Sequence, residues 1–301
     1  MQFDAHCIDC LMKRQFRLAM EQGDGRLADL YLRDVMRIIL DAPEGVAAPW
    51  LAGAFSKAFE KYWPGVDAYE KLKKDSNDLI LGMLPEIRSI VEGASDPLQM
   101  ALKFSRTGNF LDFGILTPDI AHRALWEAIS ATPEEALDRD VYAALVSDLD
   151  KAKSILILGD NAGEIVFDLL LVEQLQKRFP DLAITYCVRG EKVLNDATRE
   201  DAAYVGMDKL CHVIDNGSAI SGTQLPYLGK QLQEVFDTAD VILSKGSGNF
   251  ECLAGCGKNI YYVFMCKCAR VAKLLGVQNM TGQFLRDGDI RIPDPYAGSL
   301  K

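Results

Sequence analysis

Hydrophobic residues in the first half of the chain recur every three or four positions, which is the spacing of amphipathic helices. The clearest examples are residues 27–40, LADLYLRDVMRIIL, and residues 67–93. Turns that contain Gly and Pro separate these segments. Pro85 lies inside the second segment and is expected to kink or end the helix there. The pattern therefore predicts that residues 1–148 form a helical domain, arranged as a bundle.

The pattern changes after about residue 151, where short β-rich runs alternate with helical ones. The β-rich runs are KSILILG, LAITYCV, DKLCHVI, DVILSKG and NIYYVFMC. This alternation is typical of a mostly parallel sheet covered by helices, so we predict an α/β fold with residues 149–301 as the second domain. Ligands of such sheets usually bind at the carboxyl ends of the strands.

Polar residues follow every one of these predicted strands. The strand ends carry Gly159–Glu164, Arg189–Glu191 with the nearby Asn195 and Asp196, Asp215–Ser218, Lys245–Glu251, and Lys267. Any single one is more often a plain turn, because Gly, Asn and Asp are frequent in turns. Five such ends on one edge of a sheet favour a binding site.

Carboxylate and amide side chains dominate this edge. Asp160, Asn161 and Asp196 could supply oxygens to one hard cation. Mg²⁺ and Mn²⁺ take ligands of this kind and fill their remaining positions with water and phosphate. The sequence therefore predicts a divalent-metal site at the ends of the strands.

The segment KGSGNFE, residues 245–251, has the features of an anion site. Its glycines would let backbone N–H groups approach an anion closely, and a helix beginning near Asn249 would add its positive end. Lys245 or Lys267 would add a full charge. A cation, backbone donors and a lysine together meet the needs of a phosphate ester, whose oxygens must be neutralised and whose leaving oxygen must be stabilised.

The helical half contains one polar segment among apolar neighbours, SRTGNFLDFGILTPD at residues 105–119. Asn109 and Asp112 within it are either turn residues with Asx hydrogen bonds or polar groups that line a cleft. We predict that the loop near residues 106–114 reaches the site on the sheet.

Composition and charge narrow the class of ligand. The 301-residue chain is 49% hydrophobic and 25% charged, which is ordinary for a globular protein, and its net charge is −10. Such an acidic chain argues against a nucleic-acid partner, because phosphate backbones bind basic surfaces. The N-terminal residues lack the basic leader and the apolar core of an export signal. No apolar run approaches the roughly 20 residues that span a bilayer. We therefore expect a cytoplasmic protein with a small ligand and no membrane contact.

Several common catalytic motifs are missing from the sequence. It has no G-x-x-x-x-G-K-[ST] segment, no three-glycine dinucleotide fingerprint and no G-x-S-x-G elbow. With three histidines in all, a zinc site built mainly from histidine is also hard to assemble.

The eight cysteines include three close pairs. The pairs are Cys7 with Cys10, Cys252 with Cys256, and Cys266 with Cys268. Thiolates joined by the fold could hold zinc or an iron–sulfur cluster, and Cys7, Cys10 and Cys268 are the best candidates because Cys268 adjoins Lys267. The alternative is that these residues are small buried hydrophobic side chains.

Several motifs together resemble those of the metal-dependent damage-control phosphatases. They are TGNFLDFG, LGDNAGEIVFD, LNDAT, VIDNGSAISGT, SKGSGNFE and the lysine of MCKC, in the family's order over roughly residues 100 to 270. The N-terminal CIDC is similar to the prokaryotic branch. The family was once a domain of unknown function, and it includes relatives fused to pantothenate kinase and others called acidic-residue methyltransferase-like.

The resemblance implies a helical domain packed on an α/β/α sandwich with a Rossmann-like sheet. It implies hydrolysis of small phosphorylated metabolites with Mg, Mn, Co or Ni, where Asp160, Asn161 and Asp196 bind the metal and Asp160, Asp196 and Lys267 are catalytic. The expected substrate-binding positions are Glu164, Asn109, Asp112, Lys245, Gly246, Ser247, Gly248, Asn249 and Phe250. Some relatives carry the lysine in an Arg-Thr-x-Lys context, whereas here it lies between Cys266 and Cys268. The attacking group is either a metal-bound water or an aspartate.

Two other functions compete with hydrolysis. The same edge could belong to a binding protein that senses a phosphometabolite, a metal or redox state without turnover. Methyl transfer ranks lower, because Asp160 in GDNAGE puts an acid where an adenosyl cofactor needs close backbone approach. These residues fix neither the substrate, the preferred ion nor the oligomeric state.

Overall fold

A computed structural model describes residues 1–109 and 118–291, with the backbone alone for residues 118–124. Helices make up most of the first half. They are α1 (Ala5–Glu21), α2 (Gly25–Leu40), α3 (Ala48–Tyr62), α4 (Glu70–Gly93), α5 (Pro97–Gly108), α6 (Pro118–Ala131) and α7 (Arg139–Leu149). Short 3₁₀ helices lie at Thr132–Glu134, Met207–Lys209, Leu225–Tyr227 and Asp287–Asp289.

Local sequence explains where two of these helices start and why one continues. Asp4 and Asp24 precede α1 and α2, and each carboxylate accepts hydrogen bonds from the first free N–H groups of its helix. The sequence predicts that the helix kinks or ends at Pro85, and helix α4 does not end there but runs on to Gly93. The proline removes one backbone hydrogen bond, but the helix buries Met83 and Ile87 on either side of it, which offsets that loss.

The second half alternates strands and helices as the sequence predicts. The strands are β1 (Ser154–Leu158), β2 (Ala183–Val188), β3 (His212–Asp215), β4 (Val241–Lys245), β5 (Ile260–Cys266) and β6 (Thr281–Arg286). The helices are α8 (Glu164–Arg178), α9 (Arg199–Val205), α10 (Lys230–Thr238), α11 (Gly246–Leu253) and α12 (Ala269–Leu275).

These strands form one six-stranded sheet in the order β3-β2-β1-β4-β5-β6. The first five are parallel, and Ile157 of β1 pairs with Tyr186 of β2 on one side and Leu243 of β4 on the other. Strand β6, which the sequence analysis missed, is antiparallel to β5. The strand order reverses direction between β1 and β4, and open α/β sheets bind ligands outside the carboxyl ends of the strands at such a point. The predicted α/β class with a mostly parallel sheet is confirmed.

Helices pack on both faces of the sheet, which gives three layers. On one face, Phe104 of α5 stacks on Phe167 of α8 with ring centroids 6.3 Å apart, and the same core contains Ile80 of α4 and Ile155 of β1. The other face is covered by residues of α10, α11 and α12. A further cluster joins α1, α2 and α3 around Tyr31.

The core around Phe104 and Phe167 contains residues from both sides of the predicted boundary between residues 148 and 149, which lies at the end of α7. Nothing in the fold tests that division into two domains, and it stays a prediction. Within the predicted loop 106–114, Asp112 lies outside the described residues, whereas Asn109 is described and caps α5.

In residues 1–109 and 118–291, no helix is long and apolar enough to cross a membrane.

Candidate functional site

Two loops meet at the carboxyl end of β1. The loop after β1 carries Asp160 and Asn161, and the loop after β2 carries Asp196. Asn161 and Asp196 form an isolated antiparallel bridge, and the N–H of Ala197 donates to the carbonyl of Asp160 at 2.7 Å. Backbone pairing thus brings together the three side chains that the sequence predicts as metal ligands, beside the reversal in strand order.

Arg189 connects the two aspartates and was not predicted to be a site residue. Its Nε donates to Oδ2 of Asp196 at 2.6 Å, and its Nη2 lies 3.4 Å from both Oδ1 of Asp160 and Oδ1 of Asn249. The side chain is 1% exposed. Its position directly after β2, on the edge where the other candidates lie, was the available signal.

The remaining carboxylate oxygens of the pair also accept hydrogen bonds. Ser221 Oγ donates to Oδ1 of Asp196 at 3.0 Å, and the side-chain amides of Asn161 and Asn109 donate to Oδ2 of Asp160 at 2.8 and 3.0 Å. Both carboxylates are therefore held in fixed orientations by neighbouring side chains.

Asn109 reaches this cluster from the end of α5. Its amide N–H group also donates to Glu164 at 2.8 Å, and its oxygen accepts from the backbone N–H of Met265 at 3.0 Å. Asn109 was predicted to bind substrate. In this structure its side-chain amide bonds to protein groups and helps to orient the carboxylates of Asp160 and Glu164.

A second buried cluster lies under the first, around Lys245. The ammonium group contacts the carboxylates of Glu164 and Asp168, the latter at 2.9 Å, and donates to the carbonyl of Ser105 at 3.1 Å. Tyr186 adds a hydroxyl donor to Asp168 at 2.6 Å. Lys245 and both carboxylates are fully buried. The structure therefore places Lys245 in an internal ion cluster and not at the open edge where a substrate contact was expected.

Burial dominates the protonation of these acids. It raises the pKa of Asp160, and the nearby charge of Asp196 raises it further, while Arg189 and Lys267 lower it. Burial likewise raises the pKa of Asp196 and of Glu164, against the opposing charges of Arg189 and Lys245 respectively. Burial therefore makes ionisation of each acid unfavourable. A bound cation would offset this cost, because a nearby positive charge favours the ionised carboxylate.

The charge balance fits a divalent cation at this site. Four buried or nearly buried carboxylates, those of Asp160, Glu164, Asp168 and Asp196, face two buried cations, Arg189 and Lys245. Buried charges that lack a partner are strongly unfavourable, so additional positive charge would stabilise the cluster. In the part of the chain that the structure describes, no group of three or more His, Cys, Asp or Glu side chains is arranged to hold a metal ion. A cation here would therefore rest on two carboxylates and the amide of Asn161, and that ligand set stays a prediction.

Helix α11 begins at Gly246, ahead of the predicted start near Asn249. Gly246 has a φ of +77°, and a Cβ built on it would fall 2.1 Å from Oδ2 of Asp160. A Cβ on Gly248 would fall 2.4 Å from the carbonyl oxygen of Ser221. Because these two glycines have no side chains, the Asp160 carboxylate and the Ser221 carbonyl can lie against the start of the helix. A ligand was predicted at this position.

The other predicted members of this segment separate into two groups. Ser247 and Gly248 are partly exposed at the helix start, and Asn249 is buried with its amide donating to the carbonyl of Lys245 at 2.7 Å. Phe250 is fully buried between Tyr262 and Phe264, with ring centroids 5.1 and 5.0 Å away. The structure brings Ser247, Gly248 and Asn249 to the site but places Phe250 in the core.

Lys267 follows β5 and is partly buried. Its positive charge is close enough to lower the pKa of Asp160. The charge of this predicted catalytic lysine therefore acts on one of the predicted metal ligands.

Helix α4 contributes contacts that sequence reasoning missed. Asn77 accepts a hydrogen bond from the N–H of Gly163 at 2.6 Å and donates to Asp201 at 3.1 Å. Lys73 pairs with the same Asp201 at 2.6 Å, and both side chains are nearly buried. These contacts tie α4 to the turn after β1 and to the start of α9. No local sequence signal identifies them, because the partners are far apart along the chain.

The predicted second site at the cysteines gains no support. Cys7 is buried, Cys10 exposed and Cys268 partly buried, and all are free thiols. Burial raises the pKa of Cys7 to about 11, and Nη1 of Arg270 lies 3.7 Å from its sulfur. A zinc or iron–sulfur site at these residues stays a prediction.

Comparison with known proteins identifies a family and its fold. Residues 3–281 match the damage-control phosphatase ARMT1-like domain. The chain is 33% identical to an uncharacterized protein of Methanocaldococcus jannaschii over 281 residues, covering 90% of this chain and 91% of the relative. It is 32% identical to a damage-control phosphatase of Archaeoglobus fulgidus, covering 70% and 73% of the two chains.

A third relative is known in both sequence and structure. The damage-control phosphatase of Pyrococcus horikoshii is 32% identical over 60% of this chain and 61% of its own. A crystal structure of a DUF89 family protein from the same organism superimposes with a TM-score of 0.81 at 23% identity, covering 95% of this chain and 99% of that one. The structural match supports the fold, and the sequence matches agree with the resemblance carried by the motifs.

Proposed function

This chain belongs to the damage-control phosphatase ARMT1-like domain family, and we propose that it hydrolyses phosphate monoesters of small metabolites with a divalent cation as cofactor. The substrates that we propose are sugar phosphates or damaged phosphometabolites. Two relatives that are named damage-control phosphatases, each 32% identical to this chain, support the reaction class.

One observation carries the proposal. The bridge between Asn161 and Asp196 gathers two carboxylates and an amide at the reversal point of the sheet, next to the charge of Lys267. An excess of buried carboxylates over buried cations suits a metal site better than a purely structural cluster.

Asp160, Asn161 and Asp196 would hold the cation in this proposal. When bound, a divalent cation neutralises phosphoryl oxygens and lowers the pKa of a water molecule. In the overall reaction the P–O ester bond breaks and a new P–O bond forms to the oxygen of water. One proton of that water goes to the leaving alcohol oxygen, and the other stays with the phosphate.

The chain's own residues would bind and orient the phosphoryl group. Lys267 supplies a positive charge to its oxygens, and the partly exposed N-terminal turn of α11 at Ser247 and Gly248 offers backbone N–H groups. Asn109 and Ser221 hold Asp160 and Asp196 in orientation through hydrogen bonds. The buried Lys245 would keep Glu164 in place through their ion pair.

The test is a phosphatase screen on protein stripped of metal with a chelator. Inorganic phosphate release is measured from sugar phosphates and nucleotides, with Mg²⁺, Mn²⁺, Co²⁺ and Ni²⁺ added separately. We expect activity that depends on the added metal and favours sugar phosphates. Absence of turnover with every metal, together with tight binding of a phosphorylated sugar, would overturn the proposal in favour of a sensing role.

A further inference from the structure

The buried guanidinium of Arg189 occupies the centre of the proposed metal site. We propose that Arg189 is an internal counter-cation that holds Asp160 and Asp196 together in the metal-free protein and thereby weakens the binding of a divalent cation. This inference rests on the proposed metal dependence and concerns how the site's affinity is set.

The contacts of Arg189 distinguish it from the buried lysines nearby. It touches carboxylate oxygens of both aspartates, at 2.6 Å from Asp196 and 3.4 Å from Asp160. Lys73 pairs instead with Asp201, and Lys245 pairs with Glu164 and Asp168. Arg189 thus bridges the two predicted metal-binding carboxylates, whereas these two lysines neutralise other acids.

Burial makes this contact electrostatically strong. The Arg189 and Asp196 side chains are 1% and 2% exposed, so solvent screens their charges little. Two aspartates that converge through backbone pairing would repel each other without a cation between them. A guanidinium fits both at once because its planar fork presents several N–H groups, which a lysine ammonium on a flexible chain does not reproduce.

The guanidinium is also incompletely satisfied by the protein. Its Nη1 is buried and makes no hydrogen bond to any described residue. A buried polar group without a partner is unfavourable, so the placement of Arg189 is explained by its charge more than by a complete hydrogen-bond network. A divalent cation at the same carboxylates would share them with this positive charge, and like charges at short distance repel.

The test measures metal affinity directly, without turnover. Mn²⁺ is titrated into metal-free wild type, Arg189→Met, Arg189→Lys and Arg106→Met by calorimetry, and the melting temperature of each is recorded with and without Mn²⁺. Arg106 is the matched control, because it is 4% exposed, also has a buried nitrogen without a partner, and pairs with Glu135.

We expect Arg189→Met to bind Mn²⁺ at least tenfold more tightly than wild type and to melt at a lower temperature without metal. Its melting temperature should rise more on adding Mn²⁺ than that of wild type. Arg106→Met should bind within about threefold of wild type. Arg189→Lys, which keeps the charge but not the planar fork, should bind with an affinity between those of wild type and Arg189→Met.

Unchanged or weaker Mn²⁺ binding by folded Arg189→Met would overturn the inference. If that variant does not fold, Arg189→Gln is measured in its place against the same standard. If wild type itself binds no Mn²⁺ in the calorimeter and releases no phosphate with any of the four metals in the screen, the proposed function fails, and the two failures are thereby distinguished.

Discussion

The carboxylate of Asp160 lies directly against the α-carbon of Gly246, where a Cβ would fall 2.1 Å from Oδ2. This contact joins the loop after β1 to the first residue of α11 across the reversal in strand order. The Asp160 side chain therefore lies at the N-terminal end of α11. Any side chain at position 246 must displace the predicted metal ligand.

Gly246→Ala tests that contact. We expect metal-dependent phosphatase activity to fall at least tenfold, because the methyl group and Asp160 cannot occupy the same space. The strain of a non-glycine residue at this positive φ should lower the free energy of unfolding by on the order of 1–3 kcal/mol. Gly257→Ala is the control, since Gly257 has a φ of +79° and a Cβ added there would meet nothing within 4 Å. Equal activity in the two variants would contradict the prediction.

Asp160→Asn removes a carboxylate while keeping its shape. Activity should fall by about two orders of magnitude or more, because metal assistance contributes several kcal/mol to phosphoryl transfer. The metal-free variant should be more stable than wild type at pH 8, because burial and Asp196 raise the pKa of this acid and its ionised form is therefore costly in the folded protein. Phosphate release and urea denaturation are measured on the same preparation. Undiminished metal-dependent activity would rule out the assignment.

Lys245→Met separates a structural role from substrate binding. It leaves Glu164 and Asp168 buried without their cation, and breaking a buried pair in this way costs about 3–5 kcal/mol of unfolding free energy. Lys258→Met, which breaks a more exposed contact with Asp237, should cost less than about 1 kcal/mol. Unchanged stability with a raised KM would instead make Lys245 a substrate-binding residue.

Lys267 is expected to act on the phosphoryl group through its charge. Lys267→Met should lower kcat/KM at least tenfold, and Lys267→Arg should retain part of the activity because it keeps the charge. The exposed Lys273 of α12 provides the control, with Lys273→Met expected to match wild type. If Lys267→Met kept the full kcat/KM of wild type, Lys267 would not act on the phosphoryl group.

Glu251 of α11 gives a prediction for pH. Burial raises its pKa from 4.5 to about 7, against the opposing charge of Arg270. The folded protein therefore keeps this proton in a range where the unfolded chain releases it, so stability is fully present below pH 4.5 and is lost as the pH rises towards 7. Relative to Glu251→Gln, wild type should lose about 3 kcal/mol of unfolding free energy over that range. Urea denaturation of both proteins from acidic to mildly basic pH measures the difference between their unfolding free energies. A difference that stays constant over this range would contradict the prediction.

The sequence was most informative about the parallel strands and the polar residues at their carboxyl ends. Runs such as KSILILG are apolar because their strands are covered on both faces, and this makes them easy to recognise. The residues after β1 and β2 could be predicted as neighbours, because parallel strands end at one edge. Strand β6 was missed since its segment TGQFLR is only partly buried and has no continuous apolar run.

Other parts of the site could not be predicted from local pattern. The sequence does not tell whether the lysine at the end of β4 points outward or into the protein, and Lys245 is buried against residues of α8. Phe250 has the same ambiguity and packs in the core. Asn77 depends on Gly163, a partner that is brought close only by the packing of α4 on the sheet.

The hydrogen bond between Asn109 and Met265 has a consequence for synthesis of the chain. The two residues are 156 positions apart, so the ribosome adds Asn109 long before the strand that fixes its amide. The helical half must emerge with this polar group still in water, and the orientation of Asp160 is completed only after β5 has been made. A nascent chain that has not yet reached Met265 therefore lacks one of the contacts that orient Asp160.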